Sequence, residues 1–347
     1  MPEGAHVGIG PAAESASRAP GLKVRQGLVL IDRYGRPVSA VRIAVTPECN
    51  FDCAFCHNEG FKGRAETVMT PGEIGRVVKI LTEFGVRKVK ITGGEPMVRP
   101  DIVEVVREIG SLHPSDLGMT TNGTRVNVLA ASLKEAGMMR LNISLHSLKE
   151  DRFKWITASS RLKETLRAIS AAVEAGLTPV KLNTVLLRGY NEDELWDIID
   201  YAESLGGGDR VIVQLIELVP VDLAFYRRYH YDLGLVEAQL KERSSFVFVR
   251  DLQKRPQYTL HNGVKVEIVK PIHNAEFCMA DNRIRITHDG KFRPCLLRSN
   301  GTVDFLSPMR AGCPDQEIAA QFMKAVWQRE PYYRKPELRP AQRISFA

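Results

Sequence analysis

From Val41 onward the chain alternates short apolar runs with amphipathic stretches. Residues 41–46 read as a strand. A helix start follows at Thr70-Pro71-Gly72-Glu73, with a capping threonine, proline at the first helical position and glutamate at the third. Ile74, Val77, Leu81 and Phe84 then recur on one helical face, and Gly85 supplies the stop. The same reading predicts strands over 86–92, 117–121, 140–145, 180–187 and 211–218. Helices are predicted over 101–113, 126–136, 162–175 and 192–205. Strand–helix alternation of this kind implies a parallel sheet with helices outside, curling in one hand. Six units are too few for an eight-fold barrel, so a partial (β/α)6 TIM-type barrel is expected. In such folds the reactive groups gather at the C-terminal strand ends. Four motifs fall there: cysteines after the first strand, Gly93-Gly94-Glu95-Pro96, Thr120-Thr121-Asn122-Gly123 and Ser144-Leu145-His146-Ser147.

The rhythm changes after Pro220. The chain divides into a leader over 1–23 rich in Ala, Gly, Ser and Pro, a barrel over 24–220, and a C-terminal region over 221–347 that ends in a helix near 314–335. The leader is expected to be disordered. It lacks the charged start and apolar middle of a signal peptide, and no run of about 18 apolar residues exists anywhere. A cytoplasmic, membrane-free protein is therefore expected. Apolar residues are 44% and charged residues 26% of the 347, the balance of a globular protein. The net charge of +7 fits either a solvated basic surface or a pocket for a small anion. No nucleic-acid-binding motif accompanies it, so no polymer partner is expected.

Six cysteines are present, three of them as Cys49-x3-Cys53-x2-Cys56. Three thiolates can hold three irons of a 4Fe–4S cube, leaving the fourth iron open to a small molecule. Structural zinc is the competing reading, but it wants four ligands, and His57 is adjacent rather than suitably spaced.

The C-x3-C-x2-C spacing, Phe55 before its last cysteine and Gly93-Gly94-Glu95-Pro96 together resemble the radical SAM superfamily. That resemblance implies S-adenosylmethionine (SAM) on the open iron, with the glycine loop approaching its methionine amino group. A second likeness covers residues 30–333. Cys278-x2-Asp281-Asn282-Arg283-Ile284-Arg285, then Asp289-Gly290-Lys291 and Arg293-Pro294-Cys295, is similar to the second cluster site of the GTP 3′,8-cyclase family of molybdenum-cofactor biosynthesis. The family converts GTP to 3′,8-cyclo-7,8-dihydro-GTP. A 5′-deoxyadenosyl radical removes the C3′ hydrogen, and C3′ then attacks C8.

The family's pattern implies GTP contacts at Arg42, Lys90, Thr120, Lys181, Arg283 and Arg285. It implies cofactor contacts at Phe55, Gly94, Glu95, Ser144 and, less closely aligned, Val219. Arg283 and Arg285 also stand in a catalytic position beside the second cluster. GTP carries about four negative charges, which arginine forks suit. An external electron donor and a downstream pyranopterin synthase are the implied partners, and a homodimer stays open.

Three departures stand out. Asp281 replaces the family's second cysteine, so Cys278, Asp281 and Cys295 are the expected ligands of a second 4Fe–4S cluster. Cys313 as third ligand, or no second cluster, are the competing readings. The sequence ends Ser345-Phe346-Ala347 rather than Gly-Gly, as archaeal-type members do, and 57–60 is also archaeal-like. Cys313 has no family counterpart and reads as a buried structural thiol. The rival functions are a peptide-modifying radical SAM maturase and an iron–sulfur electron carrier or sensor.

Overall fold

A computed structural model describes residues 29–57, 59, 67–298, 300–338 and 340. The leader, most of 57–66 and the C-terminal Ser345-Phe346-Ala347 lie outside them. The predicted alternation is present: β1 (Ala40–Ala44), α1 (Pro71–Glu83), β2 (Lys88–Thr92), α2 (Ile102–Gly110), β3 (Asp116–Thr121), α3 (Val126–Glu135), β4 (Arg140–Ser144), then α4 (Glu150–Thr157) and α5 (Leu162–Glu174), β5 (Val180–Val185), α6 (Leu195–Ser204) and β6 (Val211–Ile216). The capping box at the head of α1 forms in both directions. Thr70 Oγ1 accepts from the Glu73 amide at 3.2 Å, and Glu73 Oε2 accepts from the Thr70 amide at 2.8 Å. Helix α4 is an addition to the predicted set. Its segment, Glu-Asp-Arg-Phe-Lys-Trp-Ile-Thr, is mostly polar and buries only Phe153, Ile156 and Thr157, so its apolar signal is weak.

The C-terminal region contributes α7 (Leu223–Tyr229), α8 (Leu233–Glu242), β7 (Ser244–Val249), β8 (Pro256–Leu260), β9 (Lys265–Val269), α9 (Ala275–Met279), β10 (Arg283–Ile286), β11 (Lys291–Arg293), β12 (Val303–Asp304), α10 (Leu306–Arg310) and α11 (Asp315–Trp327). It does not form a separate sheet. Strand β10 pairs parallel with β1, and β9 pairs parallel with β6. The single sheet runs β12-β11-β10-β1-β2-β3-β4-β5-β6-β9-β8-β7. Its parallel part thus grows from the six expected strands to eight, yet β9 and β10 do not pair and the barrel stays open. The connection between β7 and β8 ties the two sides of that gap. There the Gln253 amide donates to Ala280 O at 2.9 Å, just ahead of β10.

Successive strand residues point to opposite faces. The outer face carries Val41, Ile43, Val89, Ile91, Leu117, Met119, Leu141, Ile143, Leu182, Val213 and Ile284, all buried in one core beneath the helices. The inner face carries Arg42, Lys90, Asn142, Lys181, Asn183, Gln214 and Arg285, which line a cavity of about 480 Å³, and Glu267 of β9 is wholly buried on the same face. A barrel interior is usually packed with branched apolar side chains. This one is polar, so it is built to hold something. Among the described residues no helix is long and apolar enough to cross a membrane.

Arg329, fully buried, fastens the end of the chain to this frame. It pairs with Asp32 at 3.1 Å and donates to Asp281 O at 2.7 Å. Removing one partner of a buried ion pair costs about 3–5 kcal/mol, whereas an exposed pair is worth about 1 kcal/mol or less. Arg329→Met should therefore lower unfolding free energy by about 3–5 kcal/mol in denaturant titration. Arg310→Met, which breaks the exposed pair with Glu73, should change it by about 1 kcal/mol at most. Equal effects of the two substitutions would contradict this account.

Candidate active site

The loop after β1 carries Cys49, Cys53 and Cys56, and it is held by backbone bonds from two directions. From the β2 side, the amides of Gly94 and Glu95 donate to Thr46 O at 2.8 Å and Glu48 O at 2.7 Å. From the α4 side, Thr157 O and Ile156 O accept from the amides of Asp52 and Ala54 at 3.1 and 3.0 Å. The β2 contact leaves no room for a side chain: a Cβ on Gly94 would sit 2.1 Å from Glu48 O. The glycine at this position is thus required by the neighbouring cysteine loop itself.

Burial pushes the Cys49 thiol up to about 11 and raises that of Cys53 further, and the neighbouring thiols push in the same direction. Cys56 raises both Cys49 and Cys53, so the three sulfurs are neighbours, and three neighbouring thiols are a donor set suited to a metal cluster. No three His, Cys, Asp or Glu side chains among the described residues converge on a point suited to one ion. His57 stands next to the last of these cysteines. Burial lowers it to about 4, and its Nδ1 accepts from the Glu59 amide at 3.1 Å.

Beside the loop, Phe55 meets the His146 ring edge-on at 4.9 Å between centroids. Glu95 is buried and accepts from Thr121 Oγ1 at 2.6 Å, the Asn122 amide at 2.6 Å and the Met97 amide at 3.0 Å. Its carboxylate ties the ends of β2 and β3 together. Burial pushes it up to about 7 against those three donors. Ser144 and Val219 complete this side of the cavity.

The predicted basic residues all line the same cavity, but none of the arginines stands alone there. Strand register puts Arg285 beside Arg42, and Arg42 beside Lys90. Glu59 lies between the two arginines, 2.6 Å from Arg42 and in direct contact with Arg285, and also accepts from Thr92 Oγ1 at 3.2 Å. Burial alone would raise Glu59, but Arg42 and Arg285 outweigh it and hold the carboxyl well below the usual range. Lys90 donates to Asn142, and burial with nearby Arg140 favours its neutral amine. Lys181 pairs with the buried Glu267, which also takes Arg250 at 2.7 Å and Arg255 at 2.8 Å. Glu59, Glu267, Arg250 and Arg255 were absent from the sequence-derived set. The sequence offered a faint signal for one of them: Glu267 is an acidic residue inside an apolar strand, Lys-Val-Glu-Ile-Val.

Cys278, Asp281 and Cys295 line the opposite side of the cavity. Burial raises the Cys278 thiol, with Cys295 and Asp281 adding to it, so the three groups are neighbours. Asp281 Oδ1 accepts from Arg283 Nε at 2.8 Å and Gln253 Nε2 at 3.0 Å. Oδ2 has only a 3.9 Å contact to Arg329. Two thiols and one carboxylate are therefore gathered on one wall of the cavity. Cys313 is elsewhere. It lies in the turn between α10 and α11, where its carbonyl accepts from Arg76 of α1 at 2.8 Å on the outer helical layer. The cavity lining includes Cys278 and Cys295 but not Cys313, whose half-exposed side chain departs from the buried thiol expected.

Residues 43–202 match the radical SAM superfamily, and residues 211–335 match the family described as Molybdenum Cofactor Synthesis C. Among curated proteins, the "Probable GTP 3′,8-cyclase" of Thermococcus kodakarensis is 45% identical over 88% of this chain and 100% of its own length. The proteins of the same description from Pyrococcus abyssi and Methanocaldococcus jannaschii are 42% and 37% identical, over 88% and 87% of this chain and 100% and 99% of their own. Among solved structures, Streptococcus suis SuiB bound to S-adenosylmethionine superposes with a TM-score of 0.58 at 16% identity. It covers 77% of this chain and 63% of its own, a likeness of fold.

The raised Glu95 carboxyl has a consequence for stability. Because its folded pKa is about 7 rather than 4.5, its contribution is full below pH 4.5 and drains away as pH rises through 7. The difference in unfolding free energy between wild type and Glu95→Gln should fall by a few kcal/mol from pH 4.5 to 7.5, then level off. Urea titrations across that range measure it; a flat difference would show that the carboxyl ionises normally.

Proposed function

The chain belongs to the GTP 3′,8-cyclase family of radical SAM enzymes, and from that premise we propose that it converts GTP to 3′,8-cyclo-7,8-dihydro-GTP for molybdenum-cofactor biosynthesis. The observation that carries the reading is one cavity lined both by the cysteine triplet and by the basic inner face of the barrel. Cys49, Cys53 and Cys56 would hold a 4Fe–4S cluster, with SAM against Phe55, Gly94, Glu95, Ser144 and Val219. When bound, cluster and SAM together supply one-electron cleavage of the sulfonium and a 5′-deoxyadenosyl radical.

The chain's own residues bind, orient and exclude water. Arg42, Lys90, Thr120, Lys181, Arg283 and Arg285 would hold GTP so that its ribose faces the cysteine side, which turns proximity into rate. Glu59 pairs with both Arg42 and Arg285 and would yield them to phosphate. Cys278, Asp281 and Cys295 would hold a second 4Fe–4S cluster on the guanine side, with the aspartate-held iron the most weakly bound, because a carboxylate is a harder donor than thiolate. An external electron donor and a downstream pyranopterin synthase complete the proposed setting, in the cytoplasm. Identity with cyclases along nearly the whole chain favours this reading over a peptide maturase, and the cavity's cationic wall favours it over an electron carrier.

Anaerobic reduced protein should release 5′-deoxyadenosine only when GTP is present, and Cys53→Ala should release none; release independent of GTP would refute the substrate. Charge-assisted hydrogen bonds are worth about 1.5–3 kcal/mol, so Arg285→Ala should weaken GTP binding roughly ten- to hundred-fold in titration calorimetry. Iron analysis after anaerobic reconstitution should find about eight irons per chain, falling to about four in Asp281→Ala. A wild-type count near four with activity intact would end the second-cluster assignment.

A further inference from the structure

The barrel wall is incomplete between β9 and β10, and the connection between β7 and β8 crosses that gap. It brings Arg250 and Arg255 to the cavity lining on one side, while Gln253 donates to Ala280 O and Asp281 Oδ1 on the other. Both arginines converge on Glu267, as Lys181 does from β5. Glu267 is wholly buried, and Arg255 and Lys181 are nearly so. One carboxylate therefore faces two guanidinium groups and a lysine that burial lowers to about 7, which leaves positive charge in surplus at the cavity wall. The next cation along the wall, Arg283, is already matched by Asp281. Uncompensated buried charge is costly, and an incoming anion relieves it.

The guanidinium edges are also available. Arg250 spends Nη1 on Glu267, and Arg255 spends Nη1 on Glu267 and Nε on Leu252 O at a long 3.5 Å. Among the described residues, the Nη2 groups of both make no hydrogen bond. Glu267 thus acts as an anchor that holds three basic side chains at the cavity wall.

We propose that Arg250 and Arg255, with Lys181, form a polyphosphate-binding subsite across the gap in the barrel, taking the outer phosphoryl groups of a nucleoside triphosphate. The assignment of the nucleotide as GTP rests on the function proposed above; the subsite's chemistry does not depend on the base. It makes the β7–β8 connection a determinant of triphosphate over monophosphate selectivity.

Binding to reconstituted, unreduced protein tests it without turnover. The probes are GTP, ATP, GMP and inorganic tripolyphosphate, titrated into wild type and the Arg250→Gln/Arg255→Gln double variant. The double variant should bind GTP and tripolyphosphate roughly ten-fold more weakly or worse, because charge-assisted hydrogen bonds to phosphate are lost. Its GMP affinity should change little, so the preference for GTP over GMP collapses. Unchanged affinity for GTP and tripolyphosphate overturns the subsite. Wild type that binds tripolyphosphate in an arginine-dependent way but prefers GTP no more than ATP keeps the subsite and defeats the guanine reading. Should the double variant not fold, Arg250→Gln alone serves, since Arg250 is part-exposed and its loss leaves Arg255 and Lys181 on Glu267. Its tripolyphosphate affinity should fall by a clear multiple, and wild-type affinity there also overturns the proposal.

Discussion

A barrel that points cations inward has to balance them, and that requirement organises much of this molecule. Strand alternation sends Arg42, Lys90, Lys181, Arg283 and Arg285 to the inner face as surely as it sends Val41 and Ile284 to the helices. Like charges on paired strands, such as Arg42 and Arg285, repel strongly in a low-dielectric space. Three carboxylates answer them, and each comes from outside the six predicted strand–helix units or from the loop after β1: Glu59, Glu267 and Asp281. Each takes at least one cation, and Glu267 takes three. The arrangement lets the chain fold without ligand while keeping positive charge in surplus.

The same carboxylates connect the ends of the cavity. Glu59 follows Cys56 by three residues, so an anion that displaces it from Arg42 and Arg285 acts on the segment next to the cysteine triplet. Asp281 joins Arg283, Gln253 and the buried Arg329, so the second cysteine site, the gap-spanning connection and the chain's terminal helix share one network. The cysteine loop has a different support, made of backbone. The Gly93-Gly94 turn lies so close to Thr46, Pro47 and Glu48 that main-chain bonds set the loop's position, and no side chain there can relax it.

Much of this was legible in the residues because the signals are local. The capping box at Thr70, the helical face of Ile74, Val77 and Leu81, and the strand at 180–185 depend on neighbours a few positions away. The cysteine spacing is equally short-range, and so is the glycine pair. The likeness of motifs pointed to the same cavity wall that the fold assembles. Helix α4 escaped because a mostly polar segment with only three buried residues carries little periodic signal.

What the chain alone determined is therefore the six strand–helix units and the chemical identity of the inner face. What only the tertiary structure decided is how that face is completed and neutralised. Strand β10 pairs with β1 across some 240 residues, and Lys181 meets Glu267 across 86. Glu59 meets Arg285 across 226. No periodicity encodes such partners, because short strands such as Arg-Ile-Arg-Ile have no register until a neighbouring edge exists to pair with. The place of Cys313 was decided in the same way: its carbonyl meets Arg76 of α1 because α1 and α11 pack over one core.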